Sequence, residues 1–186
     1  MSFKRLVTFI LASVCRGKNG SLQSNVNEFF KDARRSGLWP EVEDVDKSSI
    51  TKARKKVKWD IFKQILQKAV ALAYSVWPDN PKYLWHNMNV YAIDGSKYNL
   101  PSTVEIREEF DPKSGLDKDG KGYYPKCTVS TLYDVLRKLP VARTVVKNDA
   151  SEREEAKKLI SHLRDKSVCL FDRGYISYDL LSYLKE

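Results

Sequence analysis

The sequence has few cysteines, and none of them is arranged to hold a metal or a disulfide framework. Its 186 residues include three, Cys15, Cys127 and Cys169, which are far apart and form no CxxC pair. An odd and scattered set argues against a disulfide-stabilised secreted domain and against a zinc site. We therefore expect small buried side chains in a reducing compartment.

Long apolar runs are also missing. The run near the amino terminus covers roughly ten residues, which is too short to span a bilayer. It follows basic residues, as in a secretory signal, but Val14 before Cys15 is not the small residue that a lipoprotein signal requires. Helical spacing instead predicts a core helix that packs on one face. The apolar positions at that spacing are Phe3, Leu6, Val7, Ile10 and Val14.

Internal repeats and low-complexity tracts are absent, and the composition is not that of a disordered chain. Hydrophobic residues make up 42% of the sequence and aromatic residues 11%. A chain of this length and content has enough apolar surface for one sizeable core, or for a core domain with a small companion. We therefore expect a soluble globular protein.

Acidic residues are scarce in one part of the chain, which concentrates its positive charge there. Residues 47–68 contain eight basic residues and one acid, Asp60, so +7 of the formal net charge of +9 falls in this segment. Such asymmetry indicates a polyanionic partner, most commonly nucleic acid. A solvated helix face is the alternative, and charge alone does not decide between the two.

The first 80 residues have the periodicity of helices. We predict a first helix over residues 3–15 and a second from Ser21, which ends by Gly37. Ser48 or Ser49 caps a third helix, in which lysines and arginines lie opposite an apolar side. The apolar positions of this third helix are Ile50, Ala53, Val57, Ile61, Ile65 and Leu66.

The second half of the chain has strand and helix signals in alternation. NVYAIDG, residues 89–95, is typical of a buried strand that runs into a turn, and KCTVSTLYDV with LPVARTVV predicts a hairpin. SEREEAKKLISHLR predicts an amphipathic helix with a capping box of Ser151 and Glu154. VCLF predicts a strand that Asp172 ends, and a further helix begins near Tyr178. The polar segment DPKSGLDKDGKG, residues 111–122, lacks the ligand spacing of a calcium loop and predicts a surface turn.

Two acids, Asp94 in YAIDG and Asp172 in CLFDRGY, occupy equivalent positions at the carboxyl ends of apolar strands. Ligands usually bind at such strand ends, where the backbone is fixed and the side chain faces an open crevice. If the two strands are parallel neighbours, the carboxylates come close together and need a shared proton or cation. Hard oxygen ligands favour magnesium or manganese, and in a basic protein this indicates phosphoryl transfer on nucleic acid.

Each acid also has a purely structural interpretation. An aspartate before glycine is common in turns, which suits Asp94. Asp172 can cap the helical segment that follows it or pair with Arg173. Spacing alone leaves these alternatives open.

The chain resembles the DDE transposases of the fourth group of bacterial insertion sequences, which move by cutting and pasting DNA. The similar segments follow in the same order along nearly the whole chain, and DGS followed by LP, together with DRGY, is fairly specific. They are SLQSNVNEFF, SSITKARKKVKWDIFKQIL, YAIDGSKYNLPST, YYPKCTVSTLYDVLRKLPVARTVVKND, SEREEAKKLI and CLFDRGYIS.

The resemblance implies an α/β fold with a ribonuclease H-like core preceded by an all-helical domain. Residues 1–82 would be the basic, DNA-binding helical region, and residues 83–186 the first part of the catalytic domain. Asp94 and Asp172 match the family's first two acids and would be catalytic ligands for Mg²⁺ or Mn²⁺. The implied partners are double-stranded DNA, as element ends and target, and a second copy of the chain on DNA. The implied location is the bacterial cytoplasm, at the nucleoid.

The basic segment and the resemblance also predict residues that contact DNA. Gly174 in DRGY is expected to serve the turn instead. The residues expected to face DNA phosphates are Lys52, Arg54, Lys55, Lys56, Lys97, Arg173 and Tyr175.

The chain departs from the family pattern at the third acid, a glutamate in a later motif of tyrosine, arginine and glutamate. Nothing after Tyr175 fits that motif, Glu186 is too close to Asp172, and Glu152 and Glu154 precede Asp172. We therefore hypothesise a truncated transposase that is inactive by itself. The alternatives are a DNA-binding remnant that competes with the full-length enzyme, and a nuclease of the same fold.

Overall fold

The computed structural model describes residues 1–16, 20–77, 80–111 and 124–185. The segment predicted to be a polar surface turn, residues 111–122, lies outside these ranges except for Asp111. The chain divides into two compact units, Met1–Phe62 and Lys63–Glu186. Among the described residues no helix is long and apolar enough to cross a membrane.

The first unit is built from helices around an aromatic core. Its helices are α1 (Phe3–Arg16), α2 (Leu22–Arg35) and α3 (Lys47–Arg54). As predicted, α2 begins beside Ser21, which caps the helix because its hydroxyl accepts the Ser24 N–H. The rings of Phe9, Phe29 and Phe30 are in mutual contact, with the Phe9 and Phe29 centroids 5.3 Å apart.

The buried face of α1 differs from the predicted one. Leu6 and Val7 are buried as expected, but Phe3 and Val14 are exposed and Phe9 is buried in their place. The reason is tertiary, since Phe9 packs against the aromatic rings of α2. Packing the Phe9 ring against other aromatic rings stabilises the unit more than burying Phe3 or Val14 at that spacing would.

The third predicted helix is two helices, which corrects the expectation of one continuous element. Asp46, not Ser48 or Ser49, caps α3, and the chain turns at residues 55–59 before α4 (Asp60–Val76) begins. Apolar residues before the turn pack in the first unit, whereas Leu66 and Val70 of α4 pack in the core of the second. The apolar residues that share one helical spacing in the sequence therefore belong to two separate hydrophobic cores.

The second unit is mixed α/β, with a four-stranded sheet in its described part. Its strands are β1 (Asn89–Asn99), β2 (Lys126–Asp134), β3 (Leu139–Lys147) and β4 (Ser167–Leu170), in the order β3-β2-β1-β4. β2 is antiparallel to β1 and β3, whereas β4 is parallel to β1. The remaining helices are α5 (Val104–Phe110), α6 (Glu152–Ile160) and α7 (Tyr178–Tyr183).

The hairpin, the helix that follows it and the last helix are confirmed. β2 and β3 pair from Cys127 beside Lys147 to Asp134 beside Leu139, and Lys138 in the connecting turn has a positive φ of 54°. α6 buries Ala156 and Leu159 against the sheet core. The predicted capping box is wrong in detail, because Ser151 is the N-cap residue of α6 but makes no side-chain hydrogen bond there.

A buried ion pair ties α4 to the sheet within the second unit. The Arg137 guanidinium contacts the Asp134 carboxylate at 3.1 Å, and both side chains are fully buried. Arg137 also donates to the side-chain oxygen of Asn89, and the hydroxyl of Tyr74 in α4 donates to Asp134 at 3.0 Å. A second hydroxyl, that of Tyr91, contacts Tyr74 at 3.1 Å. Burial raises the pKa of both tyrosines, so their hydroxyls stay protonated at neutral pH.

The division between the two units falls at residues 62 and 63. The sequence placed the boundary between the helical region and the catalytic domain later, at residues 82 and 83. The difference arises from α4, because Val70 and Tyr74 pack with the sheet. The end of the helical sequence pattern is therefore not the end of the first compact unit.

Candidate functional site

Asp94 lies within β1, and the strand does not end there. The sequence predicted that the strand runs into a turn at Asp94 and Gly95. Instead β1 continues to Asn99 and stays paired with β2, with Asp94 opposite Thr131 and Gly95 opposite Ser130. The turn interpretation of Asp94 is therefore wrong.

β1 and β4 are parallel neighbours, as the paired-acid hypothesis requires. Their ladder runs from Asn89 beside Ser167 to Ala92 beside Leu170. Asp94 and Asp172 each stand two residues beyond the last pair, so they occupy matching positions, Asp94 still within β1 and Asp172 past the end of β4. Because β4 stops at Leu170, the side of β1 next to Asp94 is open beyond that point.

Asp172 also caps the short helical turn that follows β4. Its Oδ1 accepts the Gly174 N–H at 2.7 Å and so stabilises the 3₁₀ turn of Arg173–Tyr175. A Cβ on Gly174 would lie 3.0 Å from that oxygen, which explains the glycine. The capping interpretation of Asp172 is confirmed, and it fixes the orientation of the carboxyl group.

Tyr175 is placed differently from the expectation that it faces DNA phosphates. The residue is only 2% exposed, and its hydroxyl has no hydrogen-bond partner among the described residues. Burial first, and then the negative charges of Glu152, Asp94 and Asp172, raise the pKa of this hydroxyl to about 12. The unpaired hydroxyl therefore lies within the electrostatic reach of three carboxylates.

One of these carboxylates, Glu152, was set aside in the sequence because it precedes Asp172 in the chain. Glu152 is the first residue of α6, and its carboxyl group covers Gly95. A Cβ on Gly95 would lie 3.0 Å from Cδ of Glu152 and 3.1 Å from Oε1. The glycine after Asp94 thus leaves room for this side chain.

The neighbouring residue, Arg153, joins α6 to the turn that carries Asp172. Its guanidinium donates two hydrogen bonds to the Gly174 carbonyl oxygen, at 3.2 Å from Nε and 2.9 Å from Nη2. The amino-terminal end of α6 is therefore hydrogen-bonded to the turn after Asp172 through Arg153, and Glu152 lies beside Gly95 of β1.

The donor set fits a hard divalent cation in ligand type. Carboxylate oxygens are the ligands that Mg²⁺ and Mn²⁺ prefer. Within the described ranges, however, no three acidic, histidine or cysteine side chains converge as a ready-made metal cluster. Asp94 and Asp172 are the residues that would hold the cation.

Comparison with known proteins identifies the family to which these acids belong. Residues 85–186, more than half of the chain, match the family described as "Transposase DDE domain". The chain belongs to the DDE transposase family. The match covers β1, the hairpin, α6 and β4, and so includes both acid-bearing strands.

Two relatives of this DDE transposase chain come from Escherichia coli strain K12. It is 27% identical over 145 residues to "Putative transposase InsZ", a match that covers 75% of this chain and 46% of that protein. It is 25% identical over 135 residues to "Transposase InsG for insertion sequence element IS4", which covers 73% of this chain and 29% of that protein. The chain thus spans less than half of each relative. No solved structure matches it significantly.

The six basic residues predicted to contact DNA lie on the surface, whereas Tyr175, predicted with them, is buried. They are in two separate places, at α3 with the turn that follows it, and beside the two acids. The exposed aromatic ring of Trp59, 78% accessible, follows the basic turn directly. The exposed basic residues are Lys52, Arg54, Lys55, Lys56, Lys97 and Arg173.

Proposed function

We propose that this chain is part of a DNA transposase that cuts and joins DNA by metal-dependent attack on phosphodiester bonds. The observation that carries the proposal is the parallel pairing of β1 and β4, which brings Asp94 and Asp172 to matching positions. Membership of the DDE transposase family supports the same chemistry.

In this proposal Asp94 and Asp172 hold Mg²⁺ or Mn²⁺ through carboxylate oxygens. A divalent cation bound there would activate water, and later a DNA 3′ hydroxyl, for attack on phosphorus and would stabilise the leaving oxygen. Asp172 keeps its orientation through the Oδ1 contact with the Gly174 N–H, which leaves Oδ2 for the cation. Lys97 and Arg173, exposed and close to the acids in sequence, hold DNA phosphates.

The proposed fold is a ribonuclease H-like core, and the element order supports it. An antiparallel hairpin and a helix separate β1 from β4, and β4 returns to the open side of β1 in parallel. With it we propose residues 1–82 as the DNA-binding region and residues 83–186 as the first part of the catalytic domain. The DNA partners are element ends and target, bound by two copies of the chain.

The test measures the affinity of the chain for a duplex of about 30 base pairs, with and without Mn²⁺. A cation held by the two aspartates also binds a phosphate oxygen, so Mn²⁺ tightens DNA binding by the wild type. Asp94→Asn and Asp172→Asn lose this increase, whereas the matched surface control Asp149→Asn keeps it. Equal affinity with and without Mn²⁺ in the wild type contradicts the proposal.

A second candidate function is DNA binding without catalysis. The observation that favours it is the basic, exposed segment in the first unit, which needs neither acid. Such a remnant competes for DNA with a complete transposase. Cleavage of the duplex in Mn²⁺ separates the two functions, since cutting that Asp94→Asn abolishes requires a catalytic site. Metal-independent binding without cutting favours the remnant.

A further inference from the structure

Arg153, in the first turn of α6, contacts the backbone of the turn that follows Asp172. Its guanidinium donates two hydrogen bonds to one atom, the Gly174 carbonyl oxygen, from Nη2 at 2.9 Å and from Nε at 3.2 Å. Arg153 is exposed and is not part of the hydrophobic core. The contact therefore acts on the turn and not on core packing.

Gly174 is held on both of its sides by different partners. Its N–H donates to Oδ1 of Asp172 at 2.7 Å, and its carbonyl oxygen accepts from Arg153. The N–H and the carbonyl belong to consecutive peptide groups, which meet at the Gly174 Cα and can rotate there. Glycine restricts that rotation less than any other residue. The Arg153 contact therefore restrains a backbone position that has little restraint of its own.

A residue with a side chain would restrict the same rotation, but Asp172 leaves no room for one. A Cβ at position 174 would lie 3.0 Å from Oδ1 of Asp172, closer than nearly all such contacts in proteins. The close approach of the carboxylate thus requires glycine. The restraint on the turn consequently has to come from outside the turn, and Arg153 supplies it.

α6 holds the segment after Asp172 at a second point. One turn further along the helix, Lys157 forms an ion pair with Asp179 of α7, and the Tyr183 hydroxyl donates to the Lys157 carbonyl oxygen at 3.3 Å. Of these contacts, the one from Arg153 is the closest in the chain to Asp172. The helix is therefore fixed against the segment whose first residues it restrains.

We propose that Arg153 is a positioning residue for Asp172, which it holds through the Gly174 peptide in the orientation that binds the divalent cation. The inference rests on the proposed function, because it concerns the same cation site. Arg153 is not itself a ligand, since a guanidinium has no acceptor atom and its charge repels a cation. Oδ1 of Asp172 is occupied by the Gly174 N–H, and the restrained turn fixes the direction of Oδ2.

The charge of Arg153 and its hydrogen bonds have opposite effects on cation binding. A positive charge repels a divalent cation, so on charge alone its removal would strengthen Mn²⁺ binding. Loss of a contact that orients a metal ligand weakens binding instead, typically by about 10- to 100-fold. The direction of the change in an Arg153 variant therefore distinguishes positioning from charge.

The proposal is tested by titrating the chain with Mn²⁺ and following the free ion by electron paramagnetic resonance. Arg153→Met keeps the length of the side chain but removes its charge and its donors, and we expect binding about tenfold weaker or worse. Arg153→Lys keeps the charge and one donor group, so we expect an affinity between those of the wild type and Arg153→Met. The matched control, Arg35→Met, removes an exposed arginine of α2 in the other compact unit, and its affinity stays within about twofold of the wild type.

The Gly174 amide reports the positioning without any metal. Its exchange with solvent requires the hydrogen bond to Oδ1 of Asp172 to open. We expect Arg153→Met to exchange this amide faster, while amides in the middle of α6 keep their rates. Unchanged exchange at Gly174 contradicts the positioning role whether or not Mn²⁺ binds.

The outcomes separate the inference from the proposed function. If Asp172→Asn loses Mn²⁺ binding but Arg153→Met binds as tightly as the wild type or more tightly, the inference is overturned and the proposed function stands. Equal weakening by Arg153→Met and Arg35→Met also overturns the inference. If circular dichroism shows that Arg153→Met does not fold, Arg153→Lys decides, because weaker binding with the charge retained supports positioning and wild-type binding contradicts it. If the wild type binds no Mn²⁺, the proposed function is overturned and the inference with it.

Discussion

Among single residues, the two aspartates were singled out in the sequence because each follows a short apolar run. Their matching positions depend on the parallel direction of β4 beside β1. The position of Glu152 beside Gly95 was missed because it depends on how α6 packs, and no local pattern encodes that. The available signal was the glycine after Asp94, since a missing side chain beside an acid indicates a close neighbour.

Tyr175 was predicted to contact DNA, but the structure buries it. Its place in DRGY suggested a phosphate contact, but the 3₁₀ turn that Asp172 caps directs the ring into the core, where Phe171 lies 5.5 Å away between centroids. Sequence position next to a functional acid does not determine whether a side chain faces solvent. The direction that the local backbone gives the side chain determines whether it is exposed.

The buried carboxylate of Asp134 is expected to contribute strongly to stability. Asp134→Ala leaves the buried Arg137 charge without its carboxylate and removes an acceptor of Tyr74, so the free energy of unfolding falls by about 3–5 kcal/mol. Urea denaturation followed by circular dichroism measures the change. Asp149→Ala, on the exposed turn after β3, serves as the control. Equal stability of the two variants would show that the ion pair contributes nothing.

At the scale of elements, the hairpin and α6 were predictable because their patterns are local. The interruption between α3 and α4 was not, because the apolar spacing continues across it and the residues on either side pack in different cores. The extent of β1 was missed for a similar reason. Its second half is exposed and polar, and its pairing with β2, not its own composition, keeps it extended.

The basic segment at α3 is expected to bind DNA phosphates. Replacing Arg54, Lys55 and Lys56 with alanine weakens binding to a duplex of about 30 base pairs, and the slope of log K against log salt falls by about 2 to 3. Fluorescence anisotropy between about 50 and 200 mM salt measures both. The control removes Lys4, Lys31 and Lys185, three exposed lysines elsewhere. A slope unchanged by the first set, or lowered equally by both, contradicts a specific role for this segment.

At the scale of the whole molecule, two compact units carry two different kinds of chemistry. The helical unit has most of the concentrated positive charge, and the α/β unit has the two aspartates. Family membership is secure over the second unit, where the match lies, and it includes both acid-bearing strands. The central claim is that Asp94 within β1 and Asp172 just after β4 hold one divalent cation between them.

Iron-mediated cleavage of the polypeptide tests that claim most directly. Fe²⁺ replaces Mg²⁺ at oxygen-rich sites, and with ascorbate and peroxide it cuts the backbone beside the bound ion. We expect cuts near Asp94 and near Asp172 in the same molecules, suppressed by excess Mg²⁺ and lost in both Asp94→Asn and Asp172→Asn. Cuts confined to other acidic segments, such as residues 41–46, or unchanged in the two variants, would contradict the account.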